Sequence, residues 1–252
     1  MTDRFATIIL AAGMGKRMKS DLPKVLHPLA GRPLVHHVID LARSVGSERI
    51  ILVIGHGRQL VIDATHGLEV EYAVQEKQLG TGDAVNSCNA MLGSFDGQVL
   101  ILSGDVPLMR AETVREAFDL HKSSKAAVTV FTFIPESAQG YGRIIRGTKR
   151  ELLGIVEHKD ATPAELQINE VNGGVYFFDS KALFSALGEI GNDNAAGEYY
   201  ITDTVSILRR KGLAAAAYLV KDPLELDGVN TIDQLKTLES EWFRRQGTSK
   251  GS

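Results

Sequence analysis

The stretch "LAAGMGKRMKSDLPKVLH", Leu10 to His27, follows directly on the first apolar run of the chain, Ala6 to Leu10. Gly13 and Gly15 weaken any regular structure there, and Lys16, Arg17, Lys19 and Lys24 crowd the same segment. An apolar run ending in a glycine turn reads as a buried strand that opens into a ligand loop. In open α/β sheets ligands sit beyond the carboxyl ends of the strands. A turn that lets its backbone N–H groups be approached closely, with cations around it, suits an anion.

Outward from this turn, short β-branched runs alternate with helical patterns. Arg49 to Gly55 and Gln98 to Asp105 are apolar almost throughout, as buried parallel strands are. Between them Leu34, Val38, Leu41, Ala42 and Val45 share one helical face, and Val114, Ala117, Phe118 and His121 share another. Strand–helix–strand repetition implies an α/β sheet with right-handed crossovers. Beyond Ala126 the strand candidates are "AAVTVFTF", "GIVEH", "VNGGVYFF" and "AAAAYLV", with helices at "SKALFSAL" and "ITDTVSILRRKG". The expectation is one domain over 1–246, with an α/β half over 1–110 and a second half over 111–238 covering one end of its sheet. A disordered tail is expected over 247–252.

Bulk properties bound the function. The 252 residues carry a net charge of −3, which gives no electrostatic case for nucleic-acid binding. Cys88 is the single cysteine, so no intramolecular disulfide and no cysteine-built zinc site can form. The N-terminus has no signal-peptide pattern, and no apolar run has membrane-spanning length. A cytoplasmic protein with no membrane partner is expected. Of the phosphate-cradling motifs, the dinucleotide fingerprint fails because Met18 stands where a third glycine is needed, and "GMGKRM" lacks the P-loop spacing. A nucleotidyltransferase turn remains, with Arg17 and Lys24 neutralising a triphosphate; the other reading is a tight strand–helix connection with solvated charges. No G-x-S-x-G occurs, and His36, His37, His56 and His158 lack metal-ligand spacing, so they read as packing or surface residues.

The opening stretch resembles the signature of the sugar-phosphate nucleotidyltransferases, and within them the bacterial N-acetylglucosamine-1-phosphate uridyltransferases. The resemblance continues in order through "QLGTGDAV" (Gln78 to Val85), "GDVPL" (Gly104 to Leu108), "GYGRI" (Gly140 to Ile144), "GIVEHKDAT" (Gly154 to Thr162), "EVNGGVY" (Glu170 to Tyr176), "GEYYITD" (Gly197 to Asp203) and "GVN" (Gly228 to Asn230). It implies a Rossmann-like α/β fold of the nucleotide-diphospho-sugar transferase type, a mixed and mostly parallel sheet flanked by helices, with a smaller sugar-binding lobe. It also implies UTP and N-acetylglucosamine 1-phosphate as substrates and Mg²⁺ as cofactor. The attacking phosphate is already anionic at neutral pH, so such a reaction needs charge neutralisation and in-line positioning rather than a protein base.

By the same resemblance Arg17, Lys24 and Asp105 are the catalytic residues, and Asp105 with Asn230 holds the metal. Magnesium takes few protein ligands, which suits one carboxylate and one amide oxygen. Leu10, Ala11, Ala12, Gly13, Gly15, Gln75, Gly80 and Thr81 are the expected nucleotide contacts. Gln75 carries one amide donor and one acceptor, the pattern that uracil's O4 and N3–H require. Ser103, Gly104, Gly142, Glu157, Asn172, Tyr200 and Thr202 are the expected sugar contacts.

The chain departs from the family pattern at three positions. Lys16 stands where threonine is more common, Ser103 where an aromatic residue precedes "GD", and Gly173 where the family reads "NTG". The last two lie near the expected sugar, so a uridylyltransferase for another sugar 1-phosphate is the alternative; a non-catalytic nucleotide-sugar sensor is a second. No hexapeptide repeats occur, so the acetyltransferase activity and the trimerising β-helix of bifunctional members are expected to be absent from this sequence.

Overall fold

A computed structural model describes residues 4–13 and 15–248; the side chains of Lys16 and Thr248 also lie outside the described residues. Gly247 and Thr248, expected to begin the disordered tail, instead end the last helix, and the rest of that expected tail, from Ser249, lies outside the described residues. The apolar runs form β1 (Phe5–Leu10), β4 (Arg49–Ile54), β5 (Glu71–Val74) and β6 (Gln98–Ser103). A short hairpin, β2 (Pro28–Leu29) with β3 (Arg32–Pro33), follows the opening turn. The second half supplies β7 (Val128–Phe133), β8 (Arg143–Arg146), β9 (Leu152–Val156), β10 (Val171–Asp179) and β11 (Ala215–Leu219).

The main sheet runs β11-β7-β10-β6-β1-β4-β5, with β8 attached to β10 and β9 to β8. All neighbours along it are parallel except β10, which is antiparallel to both β6 and β7. The mixed, mostly parallel sheet matches the expected fold class. The second half, however, does not merely cover one end of the first. Its strands β7, β10 and β11 continue the same sheet, because Tyr176, Phe177 and Phe178 of β10 are apolar and pair with Ile101, Leu100 and Val99 of β6. Only the β8–β9 hairpin leaves the main path.

Helices cover both faces. α1 (Leu34–Ser44), α2 (Arg58–Thr65) and α5 (Ala111–Ser123) bury Val35, Val38, Ile39, Val61, Val114 and Ala117 on one side. α3 (Thr81–Asn86), α4 (Asn89–Leu92), α6 (Ser180–Leu187) and α7 (Asp203–Arg210) bury Val85, Leu92, Leu183 and Val205 on the other. Both faces are therefore dry, which is why the central strands carry no polar alternation. Cys88, between α3 and α4, is buried, and its thiol is pushed up to about 12 by that burial. α8 (Ile232–Thr248) starts with a capping box, in which Thr231 Oγ1 accepts from Gln234 N and Gln234 Oε1 accepts from Thr231 N. Leu235, Leu238 and Trp242 of this helix close a third cluster with Met18, Leu29, Leu34, Leu108 and Val229. No helix among the described residues is long and apolar enough to cross a membrane.

A buried histidine packs against the aromatic core. His121 is fully buried between Thr129 Oγ1 and Gln98 Oε1, both at 2.8 Å, and beside Phe118 and Phe177. Desolvation holds its imidazole down to about 4 against an ordinary 6.5. The folded state then binds fewer protons than the unfolded state below pH 6.5, so this contribution to stability is complete above 6.5 and is lost as pH falls toward 4. The loss is about 2 kcal/mol by pH 5. Urea titrations at pH 7 and pH 5 will show His121→Gln to be less stable at pH 7 yet to lose about 2 kcal/mol less than the wild type between the two.

Candidate functional site

The carboxyl ends of β1 and β6 open into a cleft of about 320 Å³, lined by Leu10, Ala12, Gly13, Lys24, Gln75, Gly80, Thr81, Ser103 and Asp105. Asp105 sits in the turn immediately after β6, and Lys24 begins a short 3-10 turn, Lys24–Leu26, behind the glycine loop. Their side chains meet: Lys24 Nζ lies 2.5 Å from Asp105 Oδ2 and donates to Asn230 Oδ1 at 3.1 Å. Arg17 Nη2 donates to the same Asn230 oxygen at 2.8 Å. Arg17 and Lys24 thus meet Asn230 from 213 and 206 positions away, and the main chain of Val229 donates to Asp105 O at 3.0 Å, which sets Asn230 beside Asp105. Asn230 precedes the α8 cap rather than forming it, so its side chain is free for the site.

A clamp that the sequence does not announce holds these two segments together. Glu225 is fully buried, and it accepts from Arg110 N at 2.9 Å, Nε at 2.8 Å and Nη2 at 2.5 Å. Arg110 ends the loop that carries Asp105, and Glu225 opens the segment that carries Asn230. Their separation of 115 residues leaves no local signal.

Several expected nucleotide residues differ in role from the expectation. Ala11 is buried and spends its N–H on Val53 O, so it supports the turn from beneath instead of facing the cleft. Gln75 gives both amide hydrogens away, to Gly80 O at 3.1 Å and Asp83 Oδ2 at 2.8 Å. What it offers a base is therefore its carbonyl oxygen alone, an acceptor suited to N3–H. Gly15 belongs to a smaller hollow of about 140 Å³ shared with Gly13, Arg17, Lys24 and Asn230. Gln78, not singled out as a contact, ties the cleft wall to the turn by donating to Ala12 O at 2.7 Å. Glu198 also lines the cleft.

The loop Gly80–Gly82 is stitched to the second half. Tyr199 N donates to Leu79 O, Gly82 N to Tyr199 O, and Ile201 N to Thr81 Oγ1. A Cβ at Gly80 would meet Tyr199 O at 2.5 Å, and its φ of +118° disfavours side chains as well. The "GTGD" and "GEYYITD" blocks are one structure.

The expected sugar residues form a connected group. Asn172 N donates to Gly142 O at 2.9 Å, and a Cβ at Gly142 would press on Ile155 at 2.9 Å and Glu157 Oε2 at 3.4 Å. Thr202 is buried and donates to Glu157 Oε1 at 2.9 Å, which makes it a support for that carboxylate. Asn172 spends its side chain on Tyr176 OH and Gly174 N, holding a bulge in β10 where the pairing to β7 shifts. Gly104 likewise packs, its N–H on Leu10 O. Glu157, Asp160, Asp193, Tyr200 and Asp203 line a further cavity of about 400 Å³. Burial pushes the Glu157 and Asp203 carboxyls up, and the Tyr200 phenol to about 12. At Gly173 the space of a side chain is filled by Leu226, whose Cδ1 lies 2.6 Å from the position of a Cβ.

Among the described residues no cluster of three or more His, Cys, Asp or Glu could hold a metal ion. The Asp105 carboxylate and Asn230 amide oxygen are the candidate donors. Both are hard oxygen ligands, and a cationic nitrogen already bridges them, so the pair fits Mg²⁺.

A family model for the MobA-like NTP transferase domain matches residues 7–200. The chain is 51% identical to the bifunctional protein GlmU of Geobacter metallireducens over 96% of its own length and 50% of that protein's. It is 47% identical to the GlmU of an Exiguobacterium strain over 98% of its length and 54% of that protein's. The resemblance read from the motifs is borne out, and the chain spans about half the length of these curated relatives. Among solved structures, a UDP-glucose pyrophosphorylase complexed with UDP-glucose superposes with a TM-score of 0.75 at 17% identity, covering 97% of this chain and 100% of that one. A protein of Bacillus anthracis assigned as a glucose-1-phosphate thymidylyltransferase gives 0.76 at 21%, covering 94% of each chain. These two share the fold.

Two outcomes test this geometry. Glu225→Gln will cost about 2 kcal/mol in a urea titration, since it weakens three hydrogen bonds to a buried carboxylate while the half-exposed Arg110 stays solvated. Thr202→Val, which removes the hydrogen bond that lowers the Glu157 carboxyl, will move its titration further up in carboxyl-detected NMR.

Proposed function

Because the chain belongs to the family of MobA-like NTP transferase domains, we propose that it transfers uridylyl from UTP to N-acetylglucosamine 1-phosphate, releasing pyrophosphate and UDP-N-acetylglucosamine. The observation that carries this reading is the convergence of Arg17, Lys24, Asp105 and Asn230 at the mouth of the nucleotide cleft. The sugar phosphate oxygen attacks the α-phosphorus in line, and the P–O bond to pyrophosphate breaks. Arg17 and Lys24 neutralise the negative charge that the phosphates bring together, while the turn from Leu10 to Gly13 and the Gly80–Thr81 loop hold the nucleoside. Asp105 and Asn230 hold Mg²⁺, which when bound supplies further charge neutralisation on the phosphates. The Gln75 carbonyl accepts uracil N3–H, and the group around Gly142, Glu157 and Asn172 receives the sugar.

This reading includes a cytoplasmic setting, supported by the single, buried cysteine. It covers the uridylyl transfer alone among the activities of the bifunctional relatives. A related reading, the same chemistry on another sugar 1-phosphate, is favoured by one feature: Leu226 occupies the space of a residue-173 side chain, reshaping the wall beside Asn172. A sensor without catalysis gains nothing from the retained pair of oxygen ligands.

Pyrophosphate release with Mg²⁺, UTP and a panel of sugar 1-phosphates decides between these. The expected result is highest kcat/KM with N-acetylglucosamine 1-phosphate and a loss of about 10³-fold or more in Asp105→Ala, with Arg17→Ala losing about 10²-fold. Turnover of a different sugar alone selects the related reading. No release with any sugar, from protein that binds the nucleotide sugar, leaves the sensor.

A further inference from the structure

Lys24 already engages both members of the pair assigned to the metal, one Asp105 carboxylate oxygen and the Asn230 amide oxygen. Lys24 Nζ sits 2.5 Å from Asp105 Oδ2 and 3.1 Å from Asn230 Oδ1, and both partners of the ion pair are largely shielded, with side chains 19% and 13% exposed. Arg17 donates to the same Asn230 oxygen at 2.8 Å. A divalent cation cannot take Asp105 Oδ2 and Asn230 Oδ1 together while the ammonium bridges them. We propose that Lys24 is a resident counter-ion of the ligand pair, displaced by a divalent cation only when nucleotide phosphates arrive to take the ammonium. The proposal rests on the assignment of Asp105 and Asn230 as metal ligands made above.

A free divalent cation entering alone pushes the ammonium off a shielded carboxylate and leaves the metal, the ammonium and the Arg17 guanidinium facing one negative charge, at an effective dielectric well below that of water. A polyphosphate reverses that balance, since it brings several negative charges and the ammonium gains a new anionic partner as it leaves the old one. Lys24 is placed for the exchange. It lines both the small hollow shared with Arg17 and Asn230 and the larger nucleotide cleft, so the same side chain borders both spaces. Its backbone stays fixed by the 3-10 turn at Lys24–Leu26, where His27 N donates to Lys24 O and Val25 and Leu26 are buried. Metal and nucleotide binding are then coupled, and each raises the affinity for the other by the same factor.

The test is binding of Mn²⁺, followed by electron paramagnetic resonance, to the wild type, Lys24→Met, Asp105→Asn and the double variant, with and without UTP. Without nucleotide the wild type is expected to bind Mn²⁺ weakly and Lys24→Met about tenfold or more tightly, with the gain abolished in the double variant. Equal or weaker binding by folded Lys24→Met overturns the proposal. UTP-dependent Mn²⁺ binding that survives in Asp105→Asn shows instead that the ligand assignment itself is wrong, and with it the site reading. Should Lys24→Met not fold, the wild type labelled with ¹⁵N-lysine answers the same question. Its Lys24 ammonium resonance is expected to hold with Mg²⁺ alone and to shift with Mg²⁺ and UTP together; a complete shift with Mg²⁺ alone overturns the proposal.

Discussion

The meeting of the two halves at one sheet edge depends on β10 running antiparallel between β6 and β7. A parallel strand in that slot would place its start at the far edge of the sheet. Running the other way, β10 begins at the edge where β1 and β6 end, so Val171 and Asn172 lie on the same side as Leu10, Ser103 and Asp105. The bulge after Asn172 then turns the strand out of register with β7 while Asn172 itself holds the bulge. The hairpin of β8 and β9 hangs from this start through the Val171–Arg143 pair, and it carries Gly142 and leads to Glu157.

The charged centre is assembled on an apolar foundation. Met18, Leu108, Val229 and Leu235 come from the opening turn, the loop after β6, the segment before α8 and α8 itself, and they pack in one cluster. Arg17, Asp105 and Asn230 are neighbours in sequence of these buried anchors, so burying the anchors brings the polar groups together. The Arg110–Glu225 clamp adds a directional constraint that hydrophobic packing lacks, since three hydrogen bonds to one carboxylate fix an orientation. Asp105 therefore faces Asn230 through the Val229–Asp105 hydrogen bond, which the apolar cluster and the Arg110–Glu225 clamp hold in place.

How far the sequence could be read varied with the range of the interaction. The strands at Ala6 to Leu10, Arg49 to Gly55 and Gln98 to Asp105 were legible because burial on both faces demands unbroken apolar runs. Val114, Ala117, Phe118 and His121, the face that periodicity indicates, all lie in the helix from Ala111 to Ser123. β8 was not legible as a strand: "GYGRI" is short and its pairing partners lie at Leu152–Val156 and Val171. The spatial role of Thr202 was equally hidden. It stands at the start of a helix, where a threonine reads as a cap, yet its hydroxyl goes to Glu157, 45 residues away.

Periodicity and glycine–cation turns are local properties, so the α/β class, the order of strands and helices, and the residue types that a phosphate-handling site requires can all be read from the chain before it folds. It also carried the candidate site residues, since the motif blocks name them one by one. Only the tertiary structure decided which of those residues face the cleft and which brace it. Ala11, Gly104 and Thr202 turned out to be supports, and Gln75 keeps only its carbonyl free. The same holds for the joining of both halves in one sheet and for the pairing of Lys24 with Asp105. These outcomes hang on which donors and acceptors are consumed by distant partners, and hydrogen-bond accounting of that kind closes only when the whole chain has folded.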